Sequence, residues 1–165
     1  MEQVDVVKII DDALALAADE LSARGIDVDR SIQDPPPAMW ADPDLMVQAV
    51  YELVVNAAEA ADDNISIRIR VFADGDQVNL EVADSGPGID TEKLHEISRP
   101  FFSTKGDHRG LGFLLLRKIL RALDGQIEVA GGQGTGPQGK GACVRLRLPA
   151  RGPGPRDEGV PGENG

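Results

Sequence analysis

Apolar residues recur at helical spacing through residues 4–23, at Val6, Ile9, Ile10, Leu14, Leu16, Ala17 and Leu21. The spacing predicts a first helix that Gly25 stops. Ile26 to Ile32 alternates with period two and reads as a strand, before Pro35, Pro36 and Pro37 break regular structure. A second helix, capped by Asp42 or Asp44, runs to about Ala61. Two alternating strands follow, Ile65 to Val71 and then Val78, Leu80 and Val82. Asp74-Gly75 between them is a two-residue hairpin signal. Residues 84–109 are rich in Gly, Pro and polar side chains and read as loops, with one short helix near residues 92–97. A helix is predicted from Gly110 to Leu123, ended by Asp124-Gly125. Ile127 to Val129 and Val144 to Leu148 are strands on either side of the glycine-rich residues 131–141.

Strands that alternate cleanly have one buried and one wet face, which predicts a mainly antiparallel sheet. The fold class expected is α/β (α+β), a two-layer sandwich of a mixed, mainly antiparallel sheet with about three helices on one face. Residues 1–150 form one domain in this reading, and the Gly, Pro and charge of residues 151–165 predict a disordered tail or linker. The 165 residues are 41% hydrophobic and 27% charged, as in a soluble globular domain. The acidic N-terminus has no signal-peptide pattern, and no apolar run is long enough to span a bilayer. A single cysteine, Cys143, excludes an internal disulfide and any multi-cysteine metal site. The compartment expected is the cytoplasm.

The net charge of −11 is unevenly spread. Residues 1–97 hold 22 acidic and 6 basic side chains; residues 98–165 hold 6 acidic and 11 basic. So acidic a chain argues against general nucleic-acid binding, which needs clustered Lys and Arg. The basic half suits a small polyanion or, equally, a solvated face.

Four segments carry candidate chemistry. The second helix sets Gln48, Glu52, Asn56 and Glu59 on one face, opposite Val47, Val50, Val54 and the alanines, with Leu53 nearer the boundary. Asn is mildly unfavourable inside a helix, and its amide oxygen suits a hard cation such as Mg²⁺. Asp84-Ser85-Gly86-Pro87-Gly88-Ile89 places a carboxylate and two glycines at a strand end, where backbone can approach a flat ligand. Pro100-Phe101-Phe102-Ser103-Thr104-Lys105 leads to Arg109-Gly110-Leu111-Gly112. That helix N-terminus suits phosphate oxygens, with Lys105 and Arg109 beside it. Gly139-Lys140-Gly141 opens the final strand.

In this order the segments resemble the Bergerat-type ATP-binding fold, shared by type II topoisomerases, chaperone and mismatch-repair ATPases and histidine kinases. Residues 52–57 resemble its asparagine box, residues 84–89 and 109–112 its two glycine boxes, and residues 139–149 its terminal box and strand. Pro-Phe-Phe-Ser-Thr-Lys resembles the phenylalanine box of sensor histidine kinases. The resemblance implies that Asn56 holds Mg²⁺ on the phosphates, with Glu52 the second candidate metal ligand. It implies that Asp84 recognises the adenine amine, with Gly86, Gly88 and Ile89 shaping the pocket. Lys105 and Arg109 would belong to a lid over the phosphates, and Gly110, Leu111 and Gly112 would bring the helix N-terminus to them. Glu52, Asn56 and Lys105 are the residues implied for catalysis.

Two departures stand out. His108-Arg109 occupies positions where the second glycine box usually has Gly-Thr, and the lid is short. Ala142 and Cys143 follow Gly141, where the family usually continues with Thr or Ser, so the hydroxyl for a water-mediated adenine contact is missing.

Other motifs are discounted by context. Residues 134–140 nearly match a Walker A loop, and residues 134–139 match G-x-G-x-x-G, but a strand follows where a helix is needed. His95-Glu96 before Pro100 resembles a phosphoacceptor box but follows the first glycine box, the wrong context. His108 reads as a lid residue, Cys143 as a small buried one, and Trp40 as packing at the edge of the second helix.

The function expected is the ATP-binding catalytic domain of a two-component sensor histidine kinase. It would bind Mg-ATP and donate the γ-phosphoryl group to a histidine on a separate dimerisation domain, with a response regulator downstream. Two alternatives stay open. One is a free-standing ATPase or protein-serine kinase of the same superfamily with Glu52 as general base. The other is a nucleotide-sensing module without catalysis.

Overall fold

A computed structural model describes residues 1–59, 66–85, 108–131 and 141–152, with the backbone alone at 108–113 and 130–131. In chain order the elements are β1 (Glu2–Val4), α1 (Val6–Leu16), α2 (Ala18–Ala23), β2 (Asp27–Ile32), β3 (Met39–Ala41) and α3 (Pro43–Glu59). Then come β4 (Ser66–Asp74), β5 (Gln77–Asp84), α4 (His108–Ala122), β6 (Gln126–Gly131) and β7 (Ala142–Pro149).

Five strands form one mixed sheet in the order β2-β4-β5-β7-β6. The β2–β4 pair is parallel and the other three pairs are antiparallel. The parallel pair follows from the connection, because α3 carries the chain back between β2 and β4. The mixed, mainly antiparallel sandwich expected above is therefore the fold observed.

Alternation sorts the sheet into two faces. Ile67, Ile69, Val71, Val78, Leu80, Val82, Leu146 and Leu148 are all fully buried on the inner face. Helices α1, α3 and α4 pack on it through Ile9, Ile10, Val50, Val54, Leu116 and Leu120, and Leu21 of α2 and Met39 of β3 join the same core. The helix α3 lies at the centre, against α1, α2, α4, β4 and β5.

Several local expectations are corrected. Residues 4–23 are not one helix. Val4 pairs with Met39 in a small antiparallel sheet of β1 and β3, and Asp5 caps α1 by accepting from the N–H groups of Val7 and Lys8. The backbone then turns at Ala17, with φ −90° and ψ 0°, before α2. The buried stripe Ala13, Ala17, Leu21 runs through that break, so periodicity alone does not reveal it. The strand β3, three residues long, is too short to show a period. Trp40 sits in β3, and Gly152 lies so close to its indole that an added Cβ would be 2.7 Å from the ring. Leu53 is in the core, 2% exposed, whereas Val47 is only half-buried. A helix enclosed by a sheet and three other helices needs a wider apolar arc than a surface helix.

The hairpin is displaced by one residue. Asp74 pairs with Gln77, so Gly75 and Asp76 make the turn. Gly75 has φ +59°, the conformation that favours glycine at the first central position. The third predicted helix begins at His108, two residues early, and ends at Ala122 before Asp124, whose φ is +56°. The short helix expected near residues 92–97, the glycine-rich residues 132–140 and the tail from residue 153 lie outside the described residues.

Candidate functional site

Chain direction gathers one end of the sheet into a site. Asp84 ends β5, Ser66 begins β4 and Ala142 begins β7. Gly131 of β6 pairs with Ala142, while Gln126 at the start of β6 pairs with Arg147 near the far end of β7. The helix α4 joins β6 at that far end through residues 123–125, and a 15-residue helix is about 22 Å long, so its N-terminus returns to the Asp84 end. The C-terminus of α3 precedes Ser66 by few residues and belongs to the same end.

On α3 the polar stripe changes environment along its length. Gln48 is exposed, while Glu52, Asn56 and Glu59 are half-buried. Asp42 caps the other end of the helix, its Oδ1 accepting from the N–H groups of Asp44 at 3.0 Å and Leu45 at 3.2 Å. Arg24 donates to the Ala58 carbonyl at 3.3 Å, a cation on the negative end of the α3 dipole. Burial, and then the charge of Glu59, push the Glu52 carboxyl above its ordinary pKa. The Nδ2 atom of Asn56 is buried and has no hydrogen-bond partner among the described residues. A buried amide left open in this way has capacity for a ligand. Its oxygen suits a hard cation while its nitrogen donates to an anion, so the residue fits Mg²⁺ with phosphate. Among the described residues no three His, Cys, Asp or Glu cluster as a metal site.

On β5 the inner-face series Val78, Leu80, Val82 ends in Asp84, a carboxylate 7% exposed on the apolar side of the sheet. Its Oδ1 accepts from the Ala142 N–H at 3.4 Å. The sequence places Ser85 in the first glycine box and Gly141 in the terminal box without giving either a role of its own, and both pack at this strand end. Gly141 has φ +114°, and a Cβ there would fall 2.7 Å from the Asp84 carbonyl carbon and 3.1 Å from its Oδ1. Ser85 and Ser66 bond each other twice: the Ser66 N–H donates to Ser85 Oγ at 2.9 Å, and the Ser85 N–H to the Ser66 carbonyl at 3.1 Å.

The structure thus brings Asp84 and the C-terminal turn of α3, with Asn56, to one end of the sandwich. Arg109, Gly110 and Leu111 lie in the first turn of α4, whose leading N–H groups lack intrahelical partners, and Gly112 follows directly after it. Gly86, Gly88, Ile89 and Lys105 lie outside the described residues, as do the phenylalanine box and His95. Cys143 is buried, as expected. Desolvation first, then the charge of Glu81, push its thiol up to about 11, which leaves it protonated and inert near neutral pH.

An acid on a sheet's inner face, an asparagine on the helix over it and a helix N-terminus at the same end define a nucleotide-binding class of fold. The family described as histidine kinase-, DNA gyrase B- and HSP90-like ATPase matches residues 41–152, and the chain belongs to it. Within that family it is an ATP-binding catalytic domain of the sensor histidine kinase kind. The sensor histidine kinase ZraS of Escherichia coli (strain K12) is 32% identical over 149 residues, which are 90% of this chain and 31% of that protein. The catalytic domain of the histidine kinase ThkA has the same fold, with a TM-score of 0.77 at 27% identity over 91% of this chain and 98% of that one. Full-length ShkA in complex with AMPPNP matches with a TM-score of 0.74 at 25% identity, over 89% of this chain and 30% of that one. The chain thus spans about a third of the length of ZraS.

Proposed function

We propose that the site binds Mg-ATP and presents the γ-phosphoryl group to a histidine on a separate dimerisation domain. A response regulator would take the phosphoryl group next, and the reaction would proceed in the cytoplasm. The observation that carries this reading is Asp84, a buried carboxylate closing the apolar inner-face series Val78, Leu80 and Val82 of β5. There it accepts a hydrogen bond from the exocyclic amine of adenine. Gly86, Gly88 and Ile89 shape the pocket around the base.

Asn56 holds Mg²⁺ through its amide oxygen, and its Nδ2, left open inside the fold, donates to a phosphate oxygen. The metal supplies charge neutralisation of the phosphates. Gly110, Leu111 and Gly112 place the N–H groups of the first α4 turn toward the phosphate oxygens, and Lys105 and Arg109 add positive charge. Glu52 lies one turn before Asn56 and reaches the same region as a second metal ligand or a base.

Calorimetry on the full chain tests the pocket. Asp84→Ala should weaken ATP binding about tenfold to a hundredfold, since a charged hydrogen bond contributes about 1.5–3 kcal/mol. Equal affinity in the variant would remove Asp84 from the adenine pocket. Asn56→Ala should instead lower the Mg²⁺-dependent part of binding.

One observation favours a second reading. The upward shift of Glu52 brings its carboxyl nearer the working range of a general base, as ATP hydrolysis or a serine acceptor requires. A neutral imidazole acceptor has no such need.

A further inference from the structure

We propose that Gly141 and Ser85 are positioning residues for Asp84, tying the end of β5 to its two neighbouring strands. The inference rests on the reading of Asp84 as the adenine acceptor.

On the β7 side the grip is steric. Gly141 runs against the Asp84 main chain, and any side chain there would collide with its carbonyl group, the oxygen most severely. The φ of +114° is one that L side chains rarely adopt. Contact this close brings the next residue, Ala142, near enough to donate its N–H to Asp84 Oδ1. The carboxylate thus accepts from a main-chain donor that any residue except proline supplies at position 142.

On the β4 side the grip is a reciprocal pair. Ser85 Oγ accepts the Ser66 N–H, and the Ser85 N–H donates to the Ser66 carbonyl. Ser85 follows Asp84 directly, so this pair keeps the last residues of β5 in register with Ile67, the partner of Asp84 across the strands. Without the hydroxyl, the first N–H of β4 loses its acceptor and the strand end frays.

A carboxylate that reads one amine must be fixed to a fraction of an ångström, so its rotation costs recognition before it costs folding. The readout is therefore base discrimination. ITP presents a carbonyl where ATP presents the amine, and an N1–H where ATP presents an acceptor, so the ratio of ATP to ITP affinity reports on recognition of the base edge that Asp84 faces.

The test measures that ratio and the thermal midpoint for the full chain and for Gly141→Ala, Ser85→Ala, Ser85→Thr and Asp84→Ala. The wild-type chain should prefer ATP, and Asp84→Ala should abolish the preference. Gly141→Ala and Ser85→Ala should each cut the ratio at least threefold, mainly through ATP, and Ser85→Thr should restore it. If Gly141→Ala does not fold, the two Ser85 variants decide. An unchanged ratio in Ser85→Ala, or in folded Gly141→Ala, would overturn the proposal, as would equal losses for both nucleotides. If Asp84→Ala itself leaves the ratio unchanged, the adenine reading fails, and the positioning role fails with it.

Discussion

Glu52 and Asn56 stand one helical turn apart, and burial treats them differently. Glu52 is ionisable, and its carboxyl is raised from 4.5 by desolvation and by Glu59. A raised folded-state value means that the fold binds the proton more tightly than the unfolded chain does. The stability gained is present in full below the unfolded value and is lost as pH rises through the folded one. The window opens near 4.5 and extends upward. In Glu52→Gln that pH dependence should disappear, and thermal unfolding from pH 4 to 7 measures it. The same variant separates the two functional readings. Loss of a general base costs about 10²- to 10⁴-fold in rate. Turnover by the lone wild-type chain that collapses in Glu52→Gln would select the ATPase. Very slow turnover in both chains, with loss of transfer to a partner histidine, would select the kinase. Asn56 has no charge to titrate, so its signature is the Mg²⁺ dependence of binding.

The helix α3 joins stability to chemistry. Its apolar arc, from Met46 through Val50, Leu53 and Val54 to Ala57, fills the core, while its polar edge reaches the site with Glu52 and Asn56. Both ends are tied, by the Asp42 cap and by Arg24 on the Ala58 carbonyl. Pro43 at the first helical position needs no partner for a missing N–H, which makes the start well defined. Asp42→Ala should lower stability by about 1 kcal/mol, within the range for loss of an N-cap. The cap lies at the end of α3 away from the site, so nucleotide affinity should change less than twofold. Urea unfolding and calorimetry on one preparation check both parts.

Across the whole sandwich, the two faces of the sheet do different work. Along β5 the inner face is apolar until Asp84. The outer face carries an ion network across four strands: Glu81 at the centre, Arg70 on β4, Arg145 and Arg147 on β7, and Glu128 on β6. Arg145 meets Glu81 at 2.6 Å and also reaches Glu128. The Glu81 side chain is only 8% exposed, whereas Arg70 is 51% exposed and 3.5 Å away. Removing Arg145 leaves a buried carboxylate with the weaker partner alone. Arg145→Ala should therefore lower stability by about 2 kcal/mol, and Arg70→Ala by less than about 1 kcal/mol. Denaturant unfolding ranks the two. An equal cost would show that Glu81 does not depend on Arg145.

Alternation along β4, β5 and β7 determined which residues face the core, because a strand's period is a local property of its backbone. The helices and the ordered boxes were legible for the same reason: caps, stops and glycines act within a few residues. Packing decided the rest. Whether Leu53 or Val47 is buried depends on which elements surround α3, and the break at Ala17 hides in a stripe that runs through both helices. The three residues of β3 become a strand only because Glu2, Gln3 and Val4 lie beside them. Gly141 reads as one glycine of the terminal box, with no role of its own, until its backbone is seen against Asp84, 57 residues earlier in the chain. Ser85 likewise needs Ser66, and Cys143 needs its burial in the sheet and then Glu81, before their states are defined. Each of these is a contact between distant parts of the chain. Its energy depends on a distance that only the folded sheet sets, whereas periodicity and capping are complete within one or two turns.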